Sequence, residues 1–163
     1  MIENYTKHYQ PMQPQLLQNY VYLFQNLHVN KQKGMCAPHK AVMLISVIEL
    51  IGEGVINSNQ IEFSEELEGR FKRNWQRFVG ESDVFKPNAG TPFWHLRSEP
   101  FWTLIPFVGG EDTLESLKRT NQYSPGTIRQ HIKFAVIDKQ LFELMSHVDT
   151  RVLLINTLFE TLK

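Results

Sequence analysis

The sequence predicts a mainly α fold, a compact multi-helix domain with a small β-hairpin or similar β element. Three observations predict it. Apolar residues recur at helical spacing in several separate segments. Helix-start residues stand ahead of those segments, and one short aromatic stretch alternates instead. The 163 residues amount to about one domain, and 42% apolar content is enough to bury a core at that size.

The elements follow in order. Residues 1–14, with two prolines and several glutamines, read as an extended lead-in. From Leu16 onward, Leu17, Tyr20, Leu23, Phe24 and Leu27 keep helical spacing. After the polar loop "HVNKQKGMCA", Pro38 stands at the first position of a second helix, where its missing N–H is not needed. Val42, Leu44, Ile45, Ile48 and Ile51 give that helix a broad buried face, and Gly52 and Gly54 end it. "VINSNQIEF" reads as short extended pieces around a turn-like centre. Ser64 with Glu65 and Glu66 starts a third helix running to about Val79, with Leu67, Phe71, Trp75 and Phe78 inward.

The loop "GESDVFKPNAGTP" precedes "FWHLR" and "FWTLI", split by "SEP", which suggest the hairpin. Alternation there points Trp94 and Leu96 one way and His95 and Arg97 the other, with Phe93 and Trp94 in the core. The C-terminal third reads as helical, with starts at Ser124-Pro125, Asp138 and Asp149. Residues 1–163 form a single domain with no internal linker, and the ending "FETLK" is compatible with a domain cut from a longer chain.

Several function classes are excluded. Seventeen basic and 17 acidic residues cancel, so electrostatics must act through local patches. Cys36 is the only cysteine, which rules out an internal disulfide or Cys-rich zinc site and suits the cytoplasm. The start "MIENYTKHYQPMQPQ" is no signal peptide. The run Ala41 to Ile51, broken by Ser46 and Glu49, is far short of the ~20 residues of a membrane span. Phosphate-binding glycine loops, HExxH and Gly-x-Ser-x-Gly are absent, and the six histidines lack metal-ligand spacing, so no cofactor and no metal are expected. A Cys36–His39 nucleophile pair lacks an orienting third group. Asp112 and Glu115 before Lys118 echo a nuclease site only loosely, on what reads as a surface helix.

Three features point to a polyanion. Around the helix start at Pro38, free backbone N–H groups and the dipole favour an anion, and Lys31, Lys33, His39 and Lys40 crowd the approach. Lys40 is a cation at the unfavourable end of that dipole, so a neighbouring anion is welcome. On the third helix, Arg70, Arg73 and Arg77 share one face beside Lys72, a pattern that also suits an ordinary solvated face. In "KPNAGTPFWHLR", Lys86, Asn88, His95 and Arg97 can donate hydrogen bonds, and Asn and Arg suit base edges.

Taken in order, "APHKAVMLISVIELIGEG", the Phe-Lys-Arg-Asn-Trp run, "TPFWHLRSEPFWTL" and "SPGTIRQHIKFAVIDKQLFELM" resemble the DNA sulfur-binding domain. That family occurs in modification-dependent restriction endonucleases, usually upstream of an HNH nuclease domain. The resemblance covers roughly Leu16 to Met145. It implies binding of double-stranded DNA in which sulfur replaces a backbone phosphate oxygen, and it makes the chain a reader rather than an enzyme. The nuclease would be another domain of the parent protein. By motif, Pro38 supplies its ring and Ala37 and Ala41 their methyl groups to an apolar sulfur pocket, completed by Met35. Lys33 or His8 would stand where the family often has an arginine stem. His39 and Lys40 match the motif as neighbours of the DNA backbone, and Asn88, His95 and Arg97 lie in the base-contacting loops.

The chemistry of such a pocket is selective. Sulfur is larger, softer and less hydrated than oxygen, so apolar contact costs it less desolvation. An ordinary phosphate oxygen left unpaired against Pro38 and Ala41 would be penalised by an amount on the order of kcal/mol, so the pocket discriminates by rejecting oxygen as well as accepting sulfur. Two alternatives remain open at this level. One is a DNA-binding module reading another modification or plain sequence, and the other is a protein-interaction domain.

Overall fold

One helix is buried almost all round, and the rest of the chain is arranged about it. In the computed structural model, which describes residues 13–163, this is α2 (His39–Gly52), buried from Lys40 through Ile48. A helix apolar on every side cannot face water on any of them. It packs against α3 (Glu65–Phe78), α4 (Gly90–His95), α7 (Lys139–Ser146) and α8 (Val148–Thr161). The remaining helices are α1 (Gln13–Gln25), α5 (Gly110–Thr120) and α6 (Pro125–His131). Among the described residues, eight α-helices and two small sheets make the domain mainly α, as the periodicity predicts.

Local signals explain most boundaries. Ser64 Oγ accepts from Leu67 N at 3.1 Å and caps α3, whose Leu67, Phe71 and Trp75 are buried. Ser124 Oγ accepts from Thr127 N and caps α6 in the same way, with Pro125 opening the helix. Pro38 is the cap residue of α2, one position before its first helical residue. The lead-in expected over residues 1–14 falls mostly outside the described residues, and α1 already begins at Gln13.

Three expectations are corrected. "FWHLR" is not a strand: it forms the end of α4 and a 3₁₀ turn, Leu96–Ser98. Its apolar residues still point inward, with Phe93 and Trp94 fully buried and His95 and Arg97 exposed. Alternation and a short helical turn place these few residues alike. "FWTLI" does form a strand, β4 (Trp102–Pro106), but it pairs with β5 (Ile132–Ile137). That partner lies inside the C-terminal third expected to be wholly helical. Its β-branched run occupies the centre of an antiparallel sheet, with β4 on one side and β3 (Gln60–Ile61) on the other. Asp138 leads into α7 without a side-chain cap; its carboxylate instead accepts from the Tyr20 hydroxyl at 2.6 Å.

A hairpin exists elsewhere, immediately before the central helix. β1 (Lys31–Gln32) and β2 (Met35–Cys36) pair antiparallel across the two residues Lys33 and Gly34. Both have positive φ, 52° and 77°, as a two-residue turn of the primed type requires.

Candidate functional site

The hairpin sets Met35 and Cys36 beside the start of α2. Ala37 N donates to Asn30 O at 2.8 Å and pins the exit of β2. Met35, Ala37, Pro38 and Ala41 then line one cleft of about 800 Å³, between the hairpin, the α2 start, the α3 end and residues 161–163. Phe24, Leu27 and Phe85 contribute apolar wall. Ala41 is buried and Met35 is half exposed at the rim. All four residues assigned to the sulfur pocket therefore share one cavity, though it is roomier than a single sulfur atom requires.

A second, more polar hollow of about 500 Å³ lies across Ala37, which borders both cavities. His28, Gln32, His39, Lys40 and His95 line it. Through Thr91 and His95 it continues into a hollow of about 490 Å³ where Asn88 meets Asn121, Gln122 and Tyr123. The predicted residues Ala37, His39, His95 and Asn88 are thus strung along one groove.

Lys40 is turned inward. Its Nζ donates to His28 O at 2.5 Å, Ser98 Oγ at 2.8 Å and Glu99 Oε2 at 2.8 Å, which occupies all three ammonium donors. Both partners of the ion pair are buried. The anion welcomed by a lysine at this end of α2 is supplied by the chain itself. Glu99 Oε2 also accepts from the His28 backbone N–H at 2.8 Å, so the pair ties the loop before the hairpin to the turn after α4.

His39 is held on three sides. Its ring is tilted on Trp75, with centroids 4.7 Å apart, and meets the edge of Phe85. Its Nε2 lies 2.6 Å from Lys86 O; a carbonyl only accepts, so Nε2 carries the proton. Burial lowers the His39 pKa below its ordinary value, partly opposed by the Lys86 bond. Burial also lowers that of His95, reinforced by the charges of Lys40, Arg97 and His39.

Arg97 is exposed, with its guanidinium 4.5 Å from the Trp94 ring centroid. Trp94 in turn stacks on Tyr123 at 4.7 Å and 13°. Asn88 Oδ1 accepts from Gly90 N at 2.9 Å, and the residue lines the groove. Lys31 and Lys33 are exposed on the hairpin and form no ion pair with any described residue.

The basic face of α3 is not part of this assembly. Arg70 makes a two-pronged bond to Glu53 at 2.6 and 2.8 Å, and Arg77 lies 3.7 Å from Glu49. Arg73 is exposed and adds its positive charge to the surroundings of Glu53. Glu53 caps the far end of α2, about 20 Å from Pro38 at 1.5 Å per residue. His8 lies outside the described residues. Asp112, Glu115 and Lys118 sit exposed on α5, as expected of a surface helix, and among the described residues no His, Cys, Asp and Glu cluster could hold a metal. No helix among the described residues is long and apolar enough to cross a membrane.

Sequence reasoning missed Glu99, Asn121 and Gln122. The lone acid between aromatic runs was a usable signal for Glu99. Nothing local marks the two amides, which only the packing of the loop on α4 brings to the groove. In comparisons with known proteins the chain matches no protein-family model and no curated protein.

Proposed function

We propose that this chain is a recognition domain that binds double-stranded DNA carrying a backbone phosphorothioate, the sulfur seated against Pro38 and Ala41 and the strand running over the adjoining polar groove. One observation carries the reading. An apolar cleft lined by Met35, Ala37, Pro38 and Ala41 shares its Ala37 wall with a groove lined by His39 and His95. Soft sulfur and charged oxygen of one phosphate need those two environments side by side.

In this reading the chain performs no chemistry itself. It works in the cytoplasm as the reader of a restriction system, and cutting belongs to a nuclease domain of the parent protein. Lys31, Lys33 and Arg97 hold phosphates from the rim. Lys40 acts indirectly, by fixing the loops that frame the groove.

The test is a titration, at one fixed salt concentration, of a short duplex with a single phosphorothioate against its all-oxygen twin. Several flanking sequences are compared. A clear preference for the sulfur duplex supports the reading. Equal affinity for the two would leave a DNA-binding module reading plain sequence, and binding to neither would remove DNA as the ligand.

A further inference from the structure

The groove does not end at His95. It runs on to the segment joining α5 to α6, where Asn121 and Gln122 stand at the surface. This segment is short and anchored at both ends. Asn121 N donates to Leu117 O at 3.1 Å, and the left-handed φ of 55° at Asn121 closes α5. At the other end, Ser124 caps α6. Between them the Tyr123 ring is stacked on Trp94. The Tyr123 carbonyl sits so close to Gly90 that a Cβ there would overlap it.

The backbone is therefore locked on α4 while the two amide side chains are left outside. Neither makes a side-chain hydrogen bond to any described residue: the polar contacts that fix the segment run through Leu117, Thr120, Ser124 and Thr127. Each amide retains a donor and an acceptor on adjacent atoms, the pattern that fits the N6 and N7 edge of adenine. Asn88, which lines the same hollow, already has its carbonyl oxygen engaged by Gly90 N.

We propose that Asn121 and Gln122 form the base-reading element of this domain, with a preference for adenine beside the held phosphate. The proposal rests on the DNA-binding reading above and adds to it where sequence is read. The locked backbone matters, because only the side-chain rotamers then remain to be ordered on binding.

The test uses short duplexes with base pairs randomised around one central phosphorothioate, and the same pool with an all-oxygen backbone. Bound sequences are recovered for the wild-type chain and for the double variant Asn121→Gly, Gln122→Ala. Glycine keeps the left-handed backbone, and both side chains are exposed, so folding is preserved; matching thermal melting curves check it. Wild type should enrich adenine at one or two fixed positions. The double variant should lose roughly ten-fold of that enrichment while its affinity for the unselected pool stays within about two-fold. An identical enrichment profile in the two proteins, or wild-type enrichment of bases other than adenine, overturns the proposal. Adenine enrichment lost equally in both pools upholds it while removing the sulfur pocket. Failure of wild type to retain either pool overturns both readings.

Discussion

The ammonium of Lys40 lies 2.8 Å from the carboxylate of Glu99, and both side chains are buried. The pair joins the start of the central helix to the turn that follows α4, 59 residues further along the chain. Two residues that line the polar groove, His28 and Ser98, receive the other two ammonium hydrogen bonds. The groove is thus built on a fixed electrostatic core, and the cations free to meet a ligand stand around its rim.

Removing one member of that pair should be costly. Lys40→Met leaves Glu99 buried with its remaining donors at His28, and breaking a buried pair from one side costs about 3–5 kcal/mol. Urea unfolding of Lys40→Met should show a loss of that size. The double variant Lys40→Met, Glu99→Gln should recover part of it, since the amide keeps an acceptor for the His28 N–H and carries no charge. A loss below about 1 kcal/mol would mean the pair behaves as an exposed one.

Pro38 and Ala41 should govern discrimination rather than overall affinity. Pro38→Ala shrinks the apolar wall, and Ala41→Ser adds a hydroxyl that can satisfy a phosphate oxygen. An unpaired buried oxygen costs about 1–3 kcal/mol on protein scales, so the ratio of sulfur to oxygen affinity should fall roughly ten-fold. Binding to the oxygen duplex should hold or improve. An unchanged ratio in both variants places the sulfur elsewhere.

How much of this was legible depended on how local each signal is. α3 could be read from its serine cap and a stripe of four apolar residues, both contained in one stretch of chain. Pro38, Ala37 and Ala41 could be grouped because they adjoin on one helix start. β5 was missed because its reason for being a strand lies in partners at Gln60 and Trp102, remote in sequence. "FWHLR" was misread because five residues are too few to separate a period of two from one of 3.6. Lys40 looked like a ligand cation for a related reason: its counter-ion lies beyond the reach of any local pattern.

Acid should destabilise the free protein before its carboxylates titrate. The pKa values of His39 and His95 are lowered from 6.5, chiefly by burial. The unfolded chain therefore takes up protons first as pH falls, so their contribution is fully present above pH 6.5 and is lost as pH drops through the native values. Glu53 and Glu68, lowered from 4.5 by Arg70 and Arg129, act in the same direction in a more acidic window. Melting temperatures should decline as pH falls below 6.5, and His95→Gln should decline less. Equal declines in the two proteins would show that His95 does not contribute.

Salt dependence should separate the groove from the α3 face. Each phosphate contact contributes about 0.9 to the slope of log affinity against log salt. Lys31→Ala, Arg97→Ala and Lys33→Asn, the last chosen because asparagine tolerates the left-handed turn at that position, should each flatten the slope by about that amount. Arg73→Ala should leave it unchanged, because Arg73 stands near Glu53 at the far end of α2. Were Arg73→Ala to flatten the slope while the hairpin lysines had no effect, the DNA would have to lie along α3. The arrangement argues against that path: Glu49 and Glu53 already bind Arg70 and Arg77 there, so a phosphate would have to displace two carboxylates, whereas at the hairpin it meets exposed lysines without such competitors among the described residues.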